Sequence, residues 1–238
     1  MTIAGPAPRP VTFVQSAPYF GALLAVALIA FWPTYLSRVG AASGYTHLHA
    51  ASATAWMLLL IAQPAAIRSR KLALHRALGR LSYVVAPLVL VSMVLLAHKN
   101  TSASGISEAD RLGVYVPLSL AALFGLSYAL AIVTRKTMAL HSRFMVCTAL
   151  TLIDPVGVRL LFWAFPKFWM KYQWPTFVLT DLIFLALIWR ERHMRSGRAV
   201  FPVMLVLFVL AQAAFLFDWY RSPLWGRFVQ WFLGLDLT

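Results

Sequence analysis

Residues 45–98 read YTHLHAASATAWMLLLIAQPAAIRSRKLALHRALGRLSYVVAPLVLVSMVLLAH. Two apolar runs, 49–67 and 78–98, flank a basic turn, RSRKLALHR. Each run comes close to the ~20 residues that an α-helix needs to cross roughly 30 Å of hydrocarbon, and in an open structure only a helix satisfies its own backbone there. The stretch therefore reads as a helical hairpin whose solvent is lipid. It also holds four of the six histidines: His47, His49, His75 and His98.

The same pattern continues on both sides. Of 238 residues, 61% are apolar and 12% charged, and further apolar blocks fall at 19–36, 113–133, 142–165, 176–190 and 200–217. The fold class expected is an all-α membrane protein with about seven transmembrane helices. Residues 1–18, Pro-rich and carrying one cation, read as a cytoplasmic tail, 19–217 as the transmembrane domain and 218–238 as an amphipathic segment on the outer interface. A cleaved signal peptide is the rival for the first block; its length, Trp32 and Pro33 speak against that.

Cations set the orientation. The second, fourth and sixth connections carry twelve lysines and arginines, the first, third and fifth only five. By the positive-inside rule the even connections face the cytoplasm, with the N-terminus inside and the C-terminus outside, which suits a bacterial inner membrane. The formal charge of +14 is then accounted for by loops facing anionic lipid, and nucleic-acid binding is excluded as its explanation. Seven tryptophans, among them Trp32, Trp163, Trp169 and Trp219, fall at the outer boundary as an aromatic belt would. Cys147 is the only cysteine, so an intrachain disulfide or a thiolate metal cluster is excluded.

The most informative feature is an echo. ALHRALGR at 73–80 returns as ALHSRF at 139–144, each time in a basic turn before an apolar block. His75 and His141 are thus expected at the cytoplasmic ends of the third and fifth spans, at one depth. Two neutral imidazoles facing each other from two helices can ligate a haem iron axially, and Arg76, Arg80 and Arg143 are available for its propionates. The alternative is that both histidines lie in interfacial turns that bind lipid headgroups. His75, Gly79, Ser82 and Ala86 form a lane along the third helix, suited to close helix packing or to a flat cofactor.

On the outer side His47, His49 and His98 share a level. Residues i and i+2 point apart on a helix, so at most one of the first two would join His98 in a copper, zinc or second haem site; polar capping of helix ends is the alternative. Asp154, followed by Pro155, should lie near the midplane beside a kink, with Arg159 and Asp181 further out. An interhelical Arg159–Asp181 pair is expected, a polar outer cavity being the other option.

In this order the histidines resemble the transmembrane b-type cytochromes of the b-561 class, in which a four-helix core holds two haems through histidine pairs on alternating helices. The resemblance places that core in helices 2–5 and matches His49 to the first ligand position, His75 to the second and His141 to the fourth. No histidine stands between residues 102 and 134, where the third is required, which leaves a single inner haem b through His75 and His141. The chain also resembles a group of bacterial seven-helix membrane proteins through Leu48-His49, Leu74-His75-Arg76-Ala77-Leu78-Gly79 and His141-Ser142-Arg143-Phe144-Met145. That group brings no established activity.

The expectation is a membrane electron carrier with one haem b near the cytoplasmic face, fed by a quinol or another redox partner. One alternative is a non-enzymatic subunit, without cofactor, packed into a membrane protein complex. A weaker one is a metal-dependent intramembrane enzyme using His49, His98, Asp154 and Asp181.

Overall fold

The computed structural model describes residues 13–101, 107–166 and 173–238. They form nine α-helices: α1 (Ala17–Phe31), α2 (Gly44–Arg68), α3 (Leu72–Lys99), α4 (Glu108–Val133), α5 (Met138–Leu150), α6 (Ile153–Ala164), α7 (Gln173–Glu191), α8 (Val200–Leu216) and α9 (Pro223–Leu233). Trp169, Lys167 and Lys171 lie outside the described residues, as do 1–12 of the tail and 102–106 of the third connection.

Five segments are long and apolar enough to cross a membrane: 13–31, α2, α3, α4 and the combined α5–α6. α8, of seventeen residues, is a shorter apolar helix. α7 has nineteen residues, but Asp181, Arg190 and Glu191 make it less apolar. The chain is an integral membrane protein whose exposed face carries the leucines, valines and tryptophans that lipid would cover.

Local chemistry sets the element ends. The Ser43 hydroxyl accepts from Thr46 N–H and starts α2 (3.2 Å). α2 stops four residues after Pro64, and Arg70, at φ +57°, turns the chain directly into α3. Ser107 and Asp110 form a reciprocal capping box at α4. Just before Pro155 the ladder loosens into a two-residue turn: α5 ends at Leu150, α6 begins at Ile153, and Leu152 N–H bonds back to Ala149. Pro155 has no N–H to offer the Thr151 carbonyl, which removes one bond of the ladder there, although Pro64, Pro87 and Pro117 lie inside α2, α3 and α4 without interrupting them.

One apolar cluster draws on α2 (Trp56, Leu59, Leu60), α3 (Val85, Ala86, Val89), α4 (Phe124) and α5 (Ala149). Trp56 is its centre, edge-on to Phe124 and Tyr128 with centroids 5.1 and 5.3 Å away. A second cluster ties α4 and α5 to α7 and α8 through Phe184, Phe201 and Met204. α9 is too short to span; it lays Val229 and Phe232 on Val114 of α4 and leaves Leu224 and Trp231 outward. Arg221 and Tyr220 both donate to Glu108 (2.7 and 2.8 Å), and burial together with that carboxylate pushes the Tyr220 hydroxyl up to about 12, so it remains a donor at ordinary pH.

Candidate functional site

The sequence echo is also a structural one. Leu72 and Met138 begin α3 and α5, so His75 and His141 are each the fourth residue of their helix. Both border a single cavity of about 390 Å³, within the range of small-molecule and cofactor pockets. Phe20, Leu60, Pro64 and Met145 give the cavity apolar walls, and Gln63, Arg135 and Ser142 add polar groups.

The second nitrogen of each ring decides what the first can do. His141 Nδ1 lies 2.8 Å from the Ala131 carbonyl and must donate to it, which leaves Nε2 as the lone-pair nitrogen. This is the arrangement that metal-ligating histidines commonly adopt. His75 is different. Gln63 reaches from α2 so that its amide oxygen accepts from Gly79 N–H (2.9 Å) while its NH₂ faces the His75 carbonyl (3.3 Å) and Nδ1. In that sense of the amide, His75 Nδ1 accepts and Nε2 carries the proton. Ligation of a haem iron through Nε2 would require a half-turn of the Gln63 amide, which sets its oxygen against the His75 carbonyl and its NH₂ against Gly79 N–H. His141 as bonded can therefore offer the Nε2 lone pair, whereas His75 as bonded presents Nε2–H.

The arginines divide. Arg76 and Arg80 are exposed on α3, and neither borders the cavity. Arg143 borders it but is committed elsewhere: Nε donates to Glu191 at 2.7 Å with both side chains buried, and Nη1 donates to the Ala139 carbonyl. Gly197, at φ +78°, presses its backbone on that guanidinium, where a Cβ would meet Nη1 at 2.8 Å. Arg135 is the cation at the cavity that enters no ion pair among the described residues. Gln63, Arg135 and Glu191 are the residues that sequence reading did not single out. Glu191 alone gave a signal, as the one acid in RERHMRSGR.

The small-residue lane of α3 is filled by helix packing. Gly79 faces Gln63, the Ser82 hydroxyl lies 2.9 Å from that of Tyr128 on α4, and Ala86 is in the central cluster. Of this lane, His75 alone borders the cavity.

The outer residues do not converge. His49 Nδ1 lies 3.1 Å from the Ser92 hydroxyl, whereas His98 Nδ1 meets Thr238 at 2.7 Å and stacks edge-on to Phe232. Ser92 and His98 are six residues apart, about 9 Å along α3 and on different faces. His47 pairs with the Tyr35 hydroxyl (3.0 Å). Among the described residues no three of His, Cys, Asp and Glu gather as a metal site.

The Arg159–Asp181 pair is not formed. Arg159 donates to the Pro155 carbonyl (2.9 Å) and lies over the Phe31 ring of α1, 4.3 Å from its centroid, while Asp181 accepts from Gln212 of α8 (3.0 Å). The two residues face different neighbours, Arg159 on the α1 side of α6 and Asp181 toward α8. Buried Asp154 accepts instead from Thr176 and from Gln173 (2.5 Å) of α7. Comparison with protein-family models, with curated proteins and with solved structures finds no match for this chain.

Proposed function

We propose that this is a seven-span membrane protein that binds one haem b in the cavity between His75 and His141 and carries electrons. The observation that supports it most is the shared cavity into which His141, fixed by the Ala131 carbonyl, can offer Nε2. A bound haem would supply one-electron chemistry, and the protein would set its potential through ligands, burial and hydrogen bonds. Within the chain, the Ala131 carbonyl selects the ligating tautomer of His141, and His75 would join it only after a half-turn of the Gln63 amide. The apolar walls exclude water, and Arg135 stands at the cavity for a propionate.

In this reading α7 and α8 complete the seven spans around a four-helix core of α2, α3, α4 and α5–α6. The cation-rich connections place the cavity at the cytoplasmic end, with the C-terminus outside. Quinol or a soluble protein would supply the electrons, alone or within a membrane protein complex.

Haem extracted per chain from protein made in haem-replete cells tests the proposal. Wild type should hold about one, and His75→Ala and His141→Ala should hold almost none, while His47→Ala and His193→Ala keep it. Equal content in all five would contradict it.

The Gln63 contact favours a second reading. With Gln63 as it stands, His75 offers Nε2–H and His141 a lone pair, a donor and an acceptor that suit a ring compound bearing hydroxyl or carbonyl oxygens, such as a quinol, in place of a haem. Quinone co-purifying with colourless protein, and lost in His141→Ala, would decide for it.

A further inference from the structure

Beside the histidine cavity, and separated from it by Phe13 and Phe20, runs a groove of about 740 Å³ between α1, α5–α6 and α7. Leu23, Leu150, Ile153, Ile183 and Leu187 line it, and Arg68 and Arg190 border it. Arg68 is the last residue of α2 and Arg190 the penultimate one of α7. Both are exposed and neither enters an ion pair among the described residues. Along α7, Arg190 stands seven residues from Ile183, so the apolar wall extends about 10 Å from the guanidinium.

We propose that this groove is a binding site for one anionic phospholipid of the surrounding leaflet, its phosphate between Arg68 and Arg190 and an acyl chain along α7. Basic pockets between helices at the cytoplasmic side of a membrane protein suit such headgroups. Charge complementarity selects this occupant. A neutral quinone or a zwitterionic lipid leaves uncompensated cations at the groove, and residues 1–12, MTIAGPAPRPVT, carry Arg9 and no carboxylate. The site is independent of whether the neighbouring cavity holds a haem.

The test is native mass spectrometry of the protein released from bilayers of equal phosphatidylglycerol and phosphatidylcholine. Wild type should retain one phosphatidylglycerol. Arg68→Gln/Arg190→Gln should bind it about twenty-five-fold more weakly, from a factor of about five per basic residue at an anionic headgroup. Arg195→Gln/Arg198→Gln, which removes two exposed cations of the α7–α8 connection outside the groove, should bind it as wild type does. Added phosphatidylglycerol should raise the melting temperature of wild type and of the Arg195/Arg198 variant, and leave that of the Arg68/Arg190 variant unchanged. Equal retention of phosphatidylcholine, undiminished binding by Arg68→Gln/Arg190→Gln, or equal losses in both double variants would overturn the proposal.

Discussion

At the scale of single residues, the Arg143–Glu191 pair carries the sharpest consequence. Both side chains are buried, and neither Arg143 Nη2 nor Glu191 Oε1 has a hydrogen-bond partner among the described residues. Removing one member alone strands a charge, so Arg143→Leu or Glu191→Leu should each cost about 3–5 kcal/mol, whereas Arg143→Leu/Glu191→Leu should recover much of that loss. Denaturant melts in detergent would show it, and additive losses would contradict it. Gly197→Ala should cost about 1–2 kcal/mol in the same assay, because a Cβ at φ +78° is strained and meets Arg143. The pairing of His75 and His141 at one cavity was legible because a repeated tripeptide in a repeated basic turn makes each the fourth residue of its helix. Glu191 as the partner of Arg143 was not: the two stand 48 positions apart, and only packing of α5 on α7 and α8 brings them together.

At the scale of elements, the apolar blocks 49–67, 78–98 and 113–133 located α2, α3 and α4 and their C-terminal ends to within a residue, but left out the five or six more polar residues that open each helix. The break between α5 and α6 was foreshadowed by Pro155, but the polar contacts around it were not. Arg159 lies over Phe31 of α1 and Asp181 accepts from Gln212 of α8, while Asp154 bonds Thr176 and Gln173 of α7. Gly157 makes that contact geometry sterically allowed, since a Cβ there would meet Thr176 Cγ2 at 2.7 Å. Gly157→Val should therefore push α7 from α6, deprive the Asp154 carboxylate of a donor and cost on the order of 1–3 kcal/mol. Adding Asp154→Leu to it should soften the loss. A Gly157→Val protein that melts with wild type would refute this account of the α6–α7 contact.

At the scale of the whole molecule, composition alone made the membrane assignment, whereas orientation rests on where the cations fall. Cys147 is fully buried and should not react, so introduced thiols report cleanly. A membrane-impermeant maleimide applied to intact cells should label Arg227→Cys on α9 and spare His193→Cys in the α7–α8 connection; the reverse pattern would invert the topology. The central claim, a haem at the inner histidines, is tested most directly by the optical spectrum of the detergent-solubilised protein from haem-replete cells. The account predicts a Soret band that shifts and sharpens on dithionite reduction, with reduced-state bands of a six-coordinate b-type haem, and a colourless preparation would contradict it.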